Sequence, residues 1–131
     1  MTTLQSAENF LAAMGQRDLE TIVGLFAQNV DWYIPGDEKV APWLGRRLDR
    51  NGVRDFFSTL WLSVEPLSAN VEHLFVEDDK AVMIGEFSTR MLATGKVVDS
   101  MFHIHMTFED GLIIRYRLLE DSLAVQRALS L

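Results

Sequence analysis

The second half of the chain constrains the fold most. Four runs of strand character follow one another there, residues 71–76, 81–91, 97–108 and 112–119, separated only by Glu77-Asp78-Asp79, Thr94-Gly95 and Glu109-Asp110-Gly111. Breaks this short leave no room for a crossover helix, so consecutive strands must run antiparallel. Asp110-Gly111 between apolar runs is a strong hairpin signal, because its glycine accepts the positive φ of a tight turn.

The first half reads as helical. Leu4, Ala7, Leu11 and Met14 recur at three- and four-residue spacing, with Thr3 as N-cap and Gly15 as stop. Asp18 caps a second helix whose buried stripe is Leu19, Ile22, Val23 and Phe26, ended by Asn29. Residues 30–34 form a short strand closed by Pro35-Gly36. Residues 35–50 are irregular, with Pro35, Gly36, Pro42 and Gly45, and Trp43 and Leu44 inside them. They serve either as a functional lid or as a loop pinned to the core by one tryptophan. A third helix starts near Asn51 with the apolar face Val53, Phe56, Phe57, Leu60 and Trp61, and Pro66 lies beyond its end. Asp121-Ser122 caps a short C-terminal helix through Leu129.

Helices followed by a strand meander specify an α+β domain over residues 1–131, with the helices on one sheet face. Two strands of about eleven residues in so small a sheet must bend and twist. The expected architecture is therefore a strongly curved, mixed or antiparallel sheet closed into a cone by three helices. Its concave face must hold packed side chains or a cavity.

Composition removes several function classes. A net charge of −7, with Arg46-Arg47 the only basic pair, disfavours nucleic acid. The absence of cysteine excludes disulfides, thiol catalysis and thiolate metal sites. No apolar stretch approaches the ~20 residues of a membrane helix. The N-terminus lacks the basic start and apolar run of a signal peptide, so the expected compartment is the cytoplasm. No phosphate loop, nucleophile elbow, HExxH or dinucleotide fingerprint occurs, and no organic cofactor is implied.

The order of elements, together with Gln16-Arg17-Asp18-Leu19 through Leu25-Phe26, Trp32 to Gly36, Phe108 to Ile113 and the tail Asp121-Ser122-Leu123-Ala124, resembles the nuclear transport factor two-like superfamily. The closest likeness is to its SnoaL-like branch, which contains polyketide cyclases and ketosteroid isomerase-like proteins, and it covers nearly the whole chain. That resemblance implies a cystatin-like α+β barrel, an apolar pocket for a small hydrophobic ligand and a homodimer through the outer sheet face. It implies no single reaction.

In ketosteroid isomerases a carboxylate base works against a tyrosine and a protonated aspartic acid. Aligned on the motifs, those positions fall on Phe10 for the tyrosine, Ile34 for the base and Ile104 for the acid. The aspartate of SnoaL-type cyclases and limonene-type epoxide hydrolases falls on Leu118. None of these side chains can exchange a proton or donate to an oxyanion. A one-residue slip in the penultimate strand would instead bring His103 or His105 to the place of Ile104.

If Ile104 faces the cavity, strand alternation places Phe102 and Met106 with it and sends His103 and His105 outward. The histidines then belong to an interface, or ligate a metal with Asp99 as third ligand; no metal is assigned. On the last strand the same parity aims Ile114, Tyr116, Leu118 and Glu120 inward and Arg115 and Arg117 outward. Glu120, raised in pKa by an apolar pocket or else solvated at its rim, and Tyr116 are the polar candidates. Glu86, in the middle of an apolar strand, either pairs with Arg90 or faces the pocket.

The leading reading is thus a small-molecule binder whose pocket draws on Phe10, Trp32, Ile34, Trp43, Phe57, Trp61, Phe102, Ile104, Met106 and Leu118. The alternatives are an acid/base isomerase, dehydratase, cyclase or hydrolase using Glu120 or Glu86 with Tyr116, and a pocketless dimerisation domain.

Overall fold

The computed structural model describes residues 1–131. The elements are α1 (Thr3–Gln16), α2 (Leu19–Gly24), β1 (Phe26–Ile34), β2 (Gly45–Asp49), α3 (Arg50–Ser63), β3 (Val64–Glu77), β4 (Lys80–Met91), β5 (Val97–Glu109), β6 (Leu112–Glu120) and α4 (Ser122–Ala128). The six strands form one mixed sheet in the order β2-β1-β6-β5-β4-β3. Every neighbouring pair is antiparallel except β1 with β6. β2 and β3 remain as edges, so the sheet does not close into a barrel. No helix is long and apolar enough to cross a membrane.

The helix ends are set by side chains that take up free backbone donors. Thr2, one residue earlier than expected, builds a capping box: its hydroxyl accepts from the Gln5 N–H at 3.1 Å while its own N–H donates to Gln5 Oε1 at 2.8 Å. The stop is Arg17 in the left-handed region (φ 51°), not Gly15. Asp18, Asp49 and Asp121 cap α2, α3 and α4, each side chain accepting from the backbone N–H three residues on.

Three boundaries differ from the sequence expectation. α2 stops at Gly24, and Phe26 starts β1, because Phe26 pairs with Ile113 of β6 and is wholly buried. The irregular stretch contains β2, a strand that tertiary pairing with β1 creates and no apolar alternation announces. β3 begins at Val64 and takes in Pro66, which an edge strand tolerates because its missing N–H deprives no central neighbour.

The helices cover one face of the sheet, with α1 packed on β4 and α3 on β1, β2 and β3. The core unites 27 buried apolar residues from both halves of the chain. A bulge between Thr107 and Phe108 pairs Phe108 with Ile113. Ile113 rather than Ile114 therefore takes the buried inward position, while parity from Tyr116 onward is as expected.

Candidate functional site

The inner face of the sheet is graded from a closed end to an open one. At the closed end Ala81, Met106, Tyr116 and Trp32 occupy one cross-strand row, and all four are buried. Trp32 and Tyr116 stack nearly parallel, centroids 4.0 Å apart at 12°. Phe10 lies 5.9 Å from Tyr116, and Phe56 and Phe57 lie 4.8 and 5.9 Å from Trp32. The next row is Met83, Ile104 and Leu118, of which Leu118 is only partly buried. Beyond it come Gly85, Phe102 and Glu120, then Phe87 opposite Ser100. Phe87 and Phe102 are also partly buried, their rings 6.1 Å apart.

Glu120 ends β6 on this face, directly across from Phe102. The four ion pairs of the protein, Arg54–Glu20, Lys80–Asp79, Arg90–Glu65 and Arg117–Asp31, leave its carboxylate without a counter-charge. Burial alone pushes its pKa from 4.5 up to about 7. Burial, with a smaller push from the Glu120 charge, raises the Tyr116 hydroxyl far above the usual phenol range, so Tyr116 is a neutral donor. Trp32 Nε1 is a second buried donor and has no protein acceptor.

Of the positions that the sequence assigned to the pocket, Phe10, Trp32, Ile34 and Phe57 are at most 1% exposed. Ile104, Met106 and Trp43 are buried as well. They pack on one another as a floor. Phe102, Leu118 and Trp61 instead reach partial exposure, with the Trp61 ring tilted against Phe57 at 5.2 Å. Trp43, with Ala41 and Leu44, pins residues 35–44 onto the core.

Glu86 has neither of its expected roles. Parity with Met101 and Asn70 puts it exposed on the outer face, and Arg90 pairs with Glu65 at 3.3 Å. Sequence reasoning missed Phe87, Gly85 and Ser100. Ser100 is buried, donating to the Met101 carbonyl at 2.6 Å and accepting from the Asp121 N–H at 2.9 Å, so it ties β5 to the end of β6. Strand register would have placed Phe87 beside Ser100, but register is a tertiary property.

His103 and His105 lie on the outer face, their rings 5.1 Å apart. Burial, then His103, Arg115 and Arg117, lower the His105 pKa. No three His, Asp or Glu side chains converge into a metal-binding group.

The sequence model of the SnoaL-like domain matches residues 7–116. The chain belongs to the SnoaL-like domain family. Solved structures agree on its fold. This SnoaL-like domain is similar to an NTF2-like protein from Burkholderia xenovorans LB400 at 20% identity and a TM-score of 0.87, over 98% of this chain and 95% of that one. It is similar to a protein with a cystatin-like fold from Xanthomonas campestris at 18% identity and a TM-score of 0.83, over 100% of both chains. It is also similar to TerC, crystallised with polyporic acid, at 18% identity and a TM-score of 0.83, over 97% of each. At these identities the likeness concerns the fold alone. Among curated proteins none matches the sequence significantly.

Proposed function

We propose that this SnoaL-like domain binds a small hydrophobic molecule at the open end of its inner sheet face, against Phe87, Phe102, Leu118 and Trp61, with Glu120 as the polar anchor. The observation that supports this most is the burial gradient. Apolar side chains pack completely from Trp32 to Ile104, then become half-buried around one unpaired carboxyl group. An apolar surface ending in a single oriented polar group is the usual composition of a small-molecule site. Phe10, Ile34, Phe57 and Met106 act as the floor, and residues 35–44 hold the neighbouring wall. A homodimer through the outer face, where Ile84, Met101 and Leu119 are exposed, belongs to the same reading.

Thermal-shift measurements with steroids, terpenoids and aromatic polyketide-like acids, polyporic acid among them, test the site. At least one apolar class raises the melting temperature by several degrees, and Leu118→Arg removes the effect. No stabilisation by any class overturns the proposal.

One observation favours a second reading, acid/base catalysis. A carboxyl group with pKa about 7 holds and releases protons near neutrality, the condition for a general acid or base. In that reading Glu120 carries the proton and Tyr116 donates to a developing oxyanion. Glu120→Gln then abolishes turnover while ligand binding persists. Turnover unchanged in that variant excludes it.

A further inference from the structure

At the open end of the inner face a carboxylate stands among rings. Glu120 lies directly across from Phe102, which pairs in turn with Gly85. Gly85 has no side chain, so the Phe102 ring settles over it, Cζ 3.0 Å from where a Cβ would stand. The Phe87 ring, two residues on in β4, is tilted against Phe102 at 6.1 Å, and both rings are partly exposed. β6 ends at Glu120, and residues 97–101 of β5 extend past it without a β6 neighbour. A depression of about 1010 Å³ follows this free edge. Its titratable lining is Glu86, Asp99, His103, Glu120 and Asp121, with no lysine or arginine.

The cations that border this end are engaged elsewhere. Arg17 donates to the Trp61 and Val64 carbonyls at 3.4 and 3.5 Å, and the Lys96 ammonium donates to the Ser130 carbonyl. Lys96 and Arg127 line a second depression, which shares only Asp121 with the first. We infer that the open end takes its apolar ligand through a cationic nitrogen, an ammonium held between the Glu120 carboxylate and the Phe87 and Phe102 rings; this rests on the small-molecule reading above and names its ligand class.

Three properties of the site select this class. A carboxylate without a counter-charge, in partly apolar surroundings, lacks what a cation supplies. Aromatic rings attract a desolvated cation through their quadrupole, so the rings and the carboxylate act on the same group. An anionic ligand would instead meet four carboxylates on a chain of net charge −7. A neutral alcohol would gain one hydrogen bond from Glu120 and no charge attraction from the rings. The ion pair also requires ionised Glu120, whose burial sets its pKa at about 7, so amine affinity rises with pH through that value. An alkylammonium, like the lysine head, stays protonated well above pH 8. Tyr116, on the same face, is uncharged throughout, and Ser100 faces from β5 without titrating. Asp99 and His103 stand on the other face of β5, Glu86 on that of β4, and Asp121 caps α4.

Isothermal titration calorimetry with three probes on one ring system, naphthylmethylamine, naphthylmethanol and naphthoic acid, tests the ligand class on the full chain and on Glu120→Gln. At pH 8 the amine binds the full chain about tenfold or more tightly than the alcohol, and the acid binds weakest. From pH 8 to pH 6 the ionised fraction of Glu120 falls about tenfold, and the amine affinity falls with it. In Glu120→Gln the amine loses its advantage over the alcohol and its affinity no longer depends on pH. If the alcohol or the acid binds the full chain as tightly as the amine, the inference is overturned while the apolar site stands. An amine that binds Glu120→Gln undiminished, or keeps its pH dependence there, overturns it as well. If none of the three binds, the inference also falls, and the thermal-shift screen of uncharged classes decides the small-molecule reading separately.

Discussion

Glu120 combines a polar head with surroundings that do not solvate it, and its titration follows from that conflict. Its folded pKa of about 7 lies above the ordinary 4.5. Below pH 4.5 both folded and unfolded chains hold the proton and Glu120 imposes no penalty. Between 4.5 and 7 the unfolded chain loses it first, so stability falls as pH rises, and above 7 the full penalty remains. At 1.36 kcal/mol per unit this is on the order of 3 kcal/mol. Glu120→Gln should therefore stabilise the protein by about 2 kcal/mol at pH 8, leave it unchanged at pH 4 and flatten the profile between, as denaturant titration at several pH values can measure. A loss of stability at pH 8 would refute the burial account. The inward aim of Glu120 and Tyr116 was legible from alternation. The exposed outer position of Glu86 was not, because parity within one strand does not say which of its faces is inner.

At the level of the element, Gly85 in the middle of β4 is the position where backbone approach matters. A Cβ there would stand 2.0 Å from the Asn70 carbonyl oxygen and 3.0 Å from Phe102 Cζ. The bulge between Val71 and His73 brings β3 this close, and the Phe102 ring lies over the space that the missing side chain leaves. Gly85→Ala is expected to cost about 3 kcal/mol, because backbone must move. It should also displace Phe102 and weaken ligand binding at the open end. Chemical denaturation with an unchanged midpoint would contradict this. The helices, the hairpin at Asp110-Gly111 and the caps at Asp18 and Asp121 were readable because each depends on residues a few positions apart. β2, the early start of β1 and the bulge at Thr107 were not, because each follows from a partner strand distant in sequence.

On the scale of the whole molecule, the parallel pairing of β1 with β6 brings Trp32 against Tyr116 and seals the closed end of the cone. The core takes residues from both halves, so neither packs without the other. Thermal unfolding followed by tryptophan fluorescence and by circular dichroism should therefore coincide in one transition. On the proposed dimer reading its midpoint should also rise with protein concentration, because association of folded chains alone stabilises them by mass action. A midpoint independent of concentration would argue for a monomer.

The sequence by itself determined the α+β class, the helix stripes, the strand alternation and the apolar character of Phe10, Ile34, Ile104 and Leu118, since local periodicity and side-chain chemistry suffice for these. Only the tertiary structure decided which apolar residues become floor and which stay half-exposed beside Glu120. It also decided that Glu86, His103 and His105 stand on the outer face. Burial and register depend on which distant segments meet, and that free energy is shared across the whole core rather than written in any one stretch of chain.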